Sequence, residues 1–259
     1  MIKNKFSSLK KLNQKSFIPY VVANYPDEKT FSNTLDLLNE LGADLIEVGL
    51  SFSDPIAEGK IIESAHHDVL AKRFNLSKAL EIISQFRKNN DTPIILMGYT
   101  NSFISPDLDL FIARAREANV DGFLIVDLPY VETDIYKKFR DSNIEFIQLI
   151  APTTPEDQIE LCLCNDPSFV YFISQRGVTG SGNINSREVL QKITQLRAKT
   201  ELPVVIGFGL NSSEQINEFK EHADGFVIGS AIVKLLGEPN SETKIKDFLN
   251  PILKAIKNG

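Results

Sequence analysis

The chain has 259 residues, 42% hydrophobic and 24% charged, with a formal net charge of -6. That length suits one large α/β barrel or two small domains of ordinary globular composition, and the acidic balance gives no basis for binding nucleic acid or an anionic membrane. No apolar run approaches the roughly 20 residues of a membrane span, and Met1 to Lys15, rich in Lys, Asn and Ser, lacks the apolar core of a secretion signal, so a cytoplasmic protein is expected.

Residues 2–12 read as a short amphipathic helix with Ile2, Phe6 and Leu9 in register. Phe17 to Val22 is the first strand, and Asp27 to Leu41 a helix with Phe31, Leu35 and Leu38 on one stripe and Gly42 just past its end. The second strand, Leu45 to Gly49, contains a carboxylate. Period-two alternation puts Leu45, Glu47 and Gly49 on one face and Ile46 and Val48 on the other. Both faces of a parallel sheet are covered, so an unpaired Glu47 costs several kcal/mol or takes its pKa upward. The turn-rich loop Ser51 to Gly59 adds Asp54 and Glu58. Of the three acids only Glu47 is forced inward. Glu58 by itself reads as a solvated acid, and Asp54, before Pro55, either fixes a turn or serves a site.

A helix from about Ile61 to Lys72 follows, then one capped by Ser77 with Leu80, Ile83 and Phe86 on its stripe. Pro93 to Gly98 is the third strand, and Ser105-Pro106 opens the next helix as a hydroxyl cap with proline at the first helical position. Gly122 to Val126 is the fourth strand, ending in Asp127-Leu128-Pro129, and a helix runs from about Glu132 to Ser142. Phe146 to Ile150 is the fifth strand, with Pro155 opening the helix to Cys164. Phe169 to Ile173, the sixth, leads into a loop with Gly177, Gly180 and Gly182, then a helix from Ser186 to Thr200. Pro203 to Ile206 is the seventh strand, with a helix from about Ser212 to Glu221. Gly225 to Ile228 is the eighth, with helix over most of the rest.

Strand–helix alternation therefore repeats eight times without a linker. Ala43-Asp44-Leu45-Ile46-Glu47-Val48-Gly49 is echoed by Val120-Asp121-Gly122-Phe123-Leu124-Ile125-Val126 and by Ala223-Asp224-Gly225-Phe226-Val227-Ile228-Gly229. Eight parallel units in this length argue for a single (β/α)8 TIM-barrel domain over residues 1–259, with an extra N-terminal helix and a short helix after the last strand. A doubly wound sheet is the alternative, usually of fewer units. Chemistry in a barrel sits at the C-terminal strand ends, where Glu47, Asp127, Tyr171, Gly209 and Gly229 fall.

Glu47 reads as an acid–base candidate or as a structural carboxylate paired to a neighbouring strand. Gly180, Gly209, Gly229 and Ser230 form a phosphate signal: glycines let backbone N–H groups approach an anion, and Ser230 begins a short helix, Ala231 to Leu236, whose N-terminus favours negative charge. The bland alternative is that these glycines only turn the chain. Tyr171 needs a hydroxyl partner if buried. Tyr20, Met97, Leu124 and Phe208 lie at or near strand ends, where they wall an apolar ligand or simply fill core. Cys162 and Cys164 do not share a helix face, and His66, His67 and His222 form no metal-ligand spacing, so neither a disulfide, a metal nor a catalytic histidine is expected.

Together these motifs resemble the tryptophan synthase alpha subunit family. The matching runs are Phe52-Ser53-Asp54-Pro55 after Glu47, Asp127-Leu128-Pro129, Ala151-Pro152-Thr153-Thr154-Pro155, Gly177-Val178-Thr179-Gly180, Gly207-Phe208-Gly209 and Gly229-Ser230-Ala231-Ile232-Val233-Lys234, almost end to end and in family order. The resemblance implies a lyase that splits indole-3-glycerol phosphate into indole and glyceraldehyde 3-phosphate in tryptophan biosynthesis. It implies no cofactor in this chain and an alpha2-beta2 complex with a beta subunit that carries pyridoxal phosphate. In this scheme Glu47 matches the acid–base, Glu58 the acid facing the indole N–H and Tyr171 the assisting tyrosine. Gly180, Gly209, Gly229 and Ser230 match the phosphate site, and Tyr20, Met97, Leu124 and Phe208 the indole pocket. Asp54 and Pro129 match residues near the partner contact, and Thr179 the closing loop. The family usually has Ala-Asp-Gly-Pro where this chain has Ala57-Glu58-Gly59-Lys60, proline where Ser51 stands, Gly-Asp where Asn24-Tyr25 stands, and Ser-Arg where Ser174-Gln175-Arg176 stands. The longer Glu58 leaves two readings, an active lyase or a diverged subunit that mainly binds and activates the beta subunit.

Overall fold

The computed structural model describes residues 1–173, 186–207 and 209–257. Its strands are β1 (Ser16–Val22), β2 (Ile46–Gly49), β3 (Ile94–Gly98), β4 (Gly122–Ile125), β5 (Glu145–Phe146), β6 (Gln148–Ile150), β7 (Val170–Ile173), β8 (Val204–Gly207) and β9 (Gly225–Ile228). The helices that bear on the site are α1 (Ile2–Lys11), α2 (Glu28–Glu40), α3 (Lys60–Ala71), α4 (Leu76–Asn89), α5 (Thr100–Ile104) and α6 (Leu108–Glu117). Further along come α7 (Thr133–Ser142), α8 (Glu156–Leu163), α9 (Ser186–Arg197), α10 (Ser213–Phe219), α11 (Ser230–Leu236) and α12 (Ser241–Lys257).

All strand pairs are parallel, in the order β5-β4-β3-β2-β1-β9-β8-β7-β6. The two ends of that order are one strand in sequence, separated only by Ile147. Successive N–H groups along it alternate between neighbours: Glu145 donates to Asp121 O and Ile147 to Phe123 O on one side, and Gln148 to Phe169 O on the other. The expected fifth strand is therefore continuous and closes the ring, giving the (β/α)8 barrel.

Two apolar layers follow from the alternation. Phe17, Val21, Ile46, Val48, Leu96, Phe123, Phe172 and Ile206 face outward and pack under the helices. Ile18, Tyr20, Leu45, Ile95, Met97, Leu124, Ile147, Phe169, Tyr171, Val205 and Val227 fill the lumen. Helix α1 plugs the lower end with Ile2 and Phe6, the latter ring 5.1 Å from Phe169. Glu145 anchors it, accepting from the backbone N–H of Ile2 at 2.7 Å and of Lys3 at 3.0 Å.

The echoed aspartates have a common task at this lower end. Asp44, Asp121 and Asp224 each accept a hydrogen bond from the first residues of the preceding strand: Phe17 N–H at 2.9 Å, Ile94 N–H at 2.9 Å and Val204 N–H at 2.8 Å. Their own N–H groups donate back to the carbonyls of the same three residues. Each carboxylate also meets a cation, Lys257, Arg87 or Arg197. The repeated motif is a clamp that sets strand register.

Two helix starts differ from expectation. The side chain of Asn75, not Ser77, accepts from Lys78 N–H and caps α4. Ser105 ends the short α5, and Asp107 caps α6 by accepting from Leu110 N–H. In both places the amide or carboxylate side chain lies three residues before the N–H it satisfies, the spacing that an N-cap needs. Among the described residues no helix is long and apolar enough to cross a membrane.

Candidate active site

The register puts the expected residues on one ring at the C-terminal mouth. Tyr20 lies beside Glu47, Met97 beside Gly49 and Leu124, and Tyr171 beside Leu149 and Val205. Two glycines make room for the phenols. A Cβ on Gly49 would lie 2.1 Å from Tyr20 Oη, and one on Gly207 would lie 2.1 Å from Tyr171 Oη. Any larger residue at either place would push a hydroxyl out of the ring.

Glu47 points into this space, 1% exposed, and among the described residues its Oε2 has no hydrogen-bond partner. Burial, then the charge of nearby Glu58, pushes its pKa from 4.5 to about 8. A carboxyl group in that state carries its proton at neutral pH and can donate it. Tyr20 and Tyr171 are also held well above the usual phenol range, first by burial and then by the charges of Glu58 and Glu47.

Glu58 corrects the sequence reading. Far from a solvated loop acid, it is 3% exposed, and its Oε2 lies 2.5 Å from Nε2 of His66, itself 0% exposed. The loop is folded inward by several ties. Ala57 N–H donates to Tyr99 Oη at 3.0 Å, the Phe52 and Tyr99 rings stack 4.9 Å apart, and Glu58 N–H donates to Pro55 O. His66 is the site residue that sequence reasoning missed. A search for metal spacing passes over it, but it stands in the stripe Ile62, Ala65, His66, Val69 of α3, an imidazole on a face otherwise apolar. Its Nε2 is also 3.4 Å from Tyr20 Oη. Tyr20 thus brings a hydroxyl to the acidic cluster, beyond the apolar wall expected of it.

At the same mouth Gly229 caps α11 without a side-chain bond, leaving the first N–H groups of that helix, from Ser230 on, without intrahelical partners. Gly209 has φ +83, a left-handed conformation that glycine adopts without strain. An anion seated there would meet backbone donors. Asp54 and Pro129 are exposed on the loops after β2 and β4, apart from the buried cluster; Asp54 accepts from Ser53 Oγ. Gly180, Thr179 and Phe208 lie outside the described residues. Among the described residues no group of three or more His, Cys, Asp or Glu side chains is arranged to hold a metal ion.

Fold and site together define a closed parallel (β/α)8 barrel protein with a buried carboxyl group, Glu47, at its C-terminal mouth. The family model for the tryptophan synthase alpha chain matches residues 6–255, and the chain belongs to that family. Solved structures agree. Tryptophan synthase subunit alpha from Legionella pneumophila str. Paris superposes with a TM-score of 0.90 at 29% identity, covering 100% of this chain and 98% of that one. An Aquifex aeolicus VF5 protein gives 0.91 at 30%, covering 99% and 98%. A Pyrococcus furiosus chain, from a structure of the tryptophan synthase a2b2 complex, gives 0.84 at 34%, covering 94% and 98%.

Proposed function

We propose that this chain cleaves indole-3-glycerol phosphate to indole and glyceraldehyde 3-phosphate, as the alpha partner of a tryptophan synthase complex in cytoplasmic tryptophan biosynthesis. The observation that carries the reading is Glu47, a buried carboxyl that keeps its proton up to about pH 8 at the mouth of the barrel. Glu47 gives that proton to indole C3. The C=N+ of the protonated ring then accepts the electron pair of the breaking bond between C3 and the glycerol carbon, and Glu47, now a carboxylate, takes up the proton of the glycerol hydroxyl as it becomes the aldehyde. Protons and electrons balance with no oxidant, and the indole ring itself is the electron sink, so this chain needs no cofactor of its own; pyridoxal phosphate belongs to the beta subunit. Glu58 faces the indole N–H, where positive charge develops after protonation. Tyr171 assists at the hydroxyl, Met97, Leu124, Tyr20 and Phe208 wall the indole, and Gly180, Gly209, Gly229 and Ser230 hold the phosphate.

The partner surface is the rim around Asp54 and Pro129, with Thr179 on the closing loop. Large apolar side chains stand exposed beside both, Ile56 at 71% and Val131 at 61%, which suits a surface that another chain covers. The test is single-turnover cleavage by wild type and Glu47→Gln, with and without beta subunit. The variant should lose at least about 100-fold while still binding the substrate; unchanged cleavage overturns the assignment. A second reading rests on the Glu58–His66 pair, since a carboxylate already engaged 2.5 Å from an imidazole is less free for substrate. In that reading the chain mainly activates the beta subunit, and the same assay would show beta-subunit stimulation with no cleavage by wild type.

A further inference from the structure

Glu58 is buried although it stands on a turn-rich loop, and its Oε2 makes no hydrogen bond among the described residues. The path of the loop therefore sets where the acid sits. Two turns inside the loop shape it without tying it to the barrel: Ile56 N–H donates to Asp54 O at 2.8 Å and Glu58 N–H to Pro55 O at 3.0 Å. Among the described residues two hydrogen bonds do tie it. His67 Nε2 meets Ser53 O at 3.1 Å on the exposed side. Ala57 N–H, one residue before Glu58, donates to Tyr99 Oη at 3.0 Å. The Tyr99 ring also stacks on Phe52, with centroids 4.9 Å and planes 20° apart.

We propose that Tyr99 is the positioning residue for Glu58: its hydroxyl and its ring hold the Phe52–Glu58 loop against the barrel mouth and so place the acid that faces the indole N–H. Tyr99 is 2% exposed and follows directly on β3, whose Gly98 pairs with Ile125 of β4. On its other side Thr100 N–H and Thr100 Oγ1 donate to Asp127 Oδ1 at 2.6 and 2.8 Å. The backbone is thus fixed before and after the tyrosine, and Asp127, just past β4, acquires a task in fixing it. A side chain anchored on a rigid strand end can hold a loop in one place. Burial, then the charge of Glu58, keeps the phenol above its usual range, so the hydroxyl stays a neutral acceptor and adds no second charge beside the acid.

The arrangement also answers a problem of reach. Glutamate has three side-chain torsions, and a shift of about 1 Å can cost about 100-fold in rate. Glu58 lies between the tether at Ala57 and the N-cap of α3 at Gly59, so its backbone is held on both sides and only the side chain is left to settle. Tyr99 acts through Glu58 and not on the reacting atoms. Glu58 answers charge that develops only after protonation, so misplacing it costs turnover more than binding. The residues assigned to the indole and the phosphate lie outside the loop.

This inference rests on the cleavage reading for its kinetic arm and is independent of it for its exchange arm. Both arms use Tyr99→Phe, which removes the acceptor and keeps a ring of the same size on Phe52. The first measurement is amide hydrogen exchange in the whole chain. Ala57 N–H should exchange at least about 5-fold faster in the variant than in wild type, with Leu96 and Val48 unchanged. Equal exchange at Ala57 overturns the proposal whether or not the chain cleaves anything. The second measurement is cleavage in the complex with beta subunit. The variant should lose about 10-fold in kcat with KM changed by less than about 3-fold. Made on top of Glu58→Gln, the same substitution should cost little more, because the group that Tyr99 places is already gone. Wild-type turnover in Tyr99→Phe overturns the proposal, as does an undiminished loss on top of Glu58→Gln. A wild-type complex without cleavage would sink the cleavage reading, and exchange at Ala57 alone would then decide the role of Tyr99.

Discussion

Glu47 makes stability as well as chemistry depend on pH. Its pKa in the folded chain, about 8, lies above the 4.5 of the free side chain, so between those values the folded chain holds a proton that the unfolded chain has released. The stability this confers is complete below about pH 4.5 and is lost as pH rises through 8, at about 1.4 kcal/mol per pH unit. Glu47→Gln stays neutral throughout. Denaturant unfolding should therefore show the variant close to wild type near pH 4.5 and more stable by several kcal/mol, about 3–5, near pH 9; parallel curves would show that Glu47 ionises normally. The inward aim of Glu47 was legible because strand alternation fixes it. Glu58 was not, because a loop has no periodicity to say which way a side chain points. Only the partner reveals it, and the partner is a histidine one helix later whose signal is a polar residue on an apolar stripe.

At the scale of elements, the sequence echoes proved to be more than a sign of repetition. Asp121 satisfies Ile94 N–H and meets Arg87, whose guanidinium also donates to the carbonyls of Asn90 and Thr92 just after α4 and of Asn119 just after α6. Its carboxyl is raised by burial, against the lowering effect of those partners. Asp121→Ala removes the acceptor and leaves a buried N–H and a buried guanidinium short of a partner, a loss of about 3 kcal/mol and a fall in Tm of roughly 10 °C. Since the clamp lies at the end of the barrel opposite Glu47, the folded variant should keep its substrate affinity; a lost affinity with unchanged Tm would refute the division of labour. Strand and helix order could be read from period and punctuation, whereas two caps could not. Ser77 and Ser105 are good capping residues, but Asn75 and Asp107 lie nearby and are better placed, and only the backbone path chooses between such neighbours.

For the whole molecule, the alternation of buried strands and amphipathic helices was enough to foresee a closed barrel, and the plug formed by α1 was foreseen only as a helix, because nothing local says where a terminal helix docks. The closed ring is not equally deep in its pairing. Between β4 and β5 the ladder joins Gly122 to Glu145 and Phe123 to Phe146, whereas β2 and β3 pair over four residues. That short ladder is a seam in the ring. On one side of it β1 to β4 carry Tyr20, Glu47, Met97 and Leu124; on the other, beyond β5 and β6, β7 carries Tyr171. Thermal breathing concentrates where fewest hydrogen bonds must break, so amide deuterium uptake at Ile147 should outrun that at Leu96 and Val48. Each such excursion would slide Tyr171 past Glu47, and a substrate touching both would stitch the two sides and slow exchange along the seam.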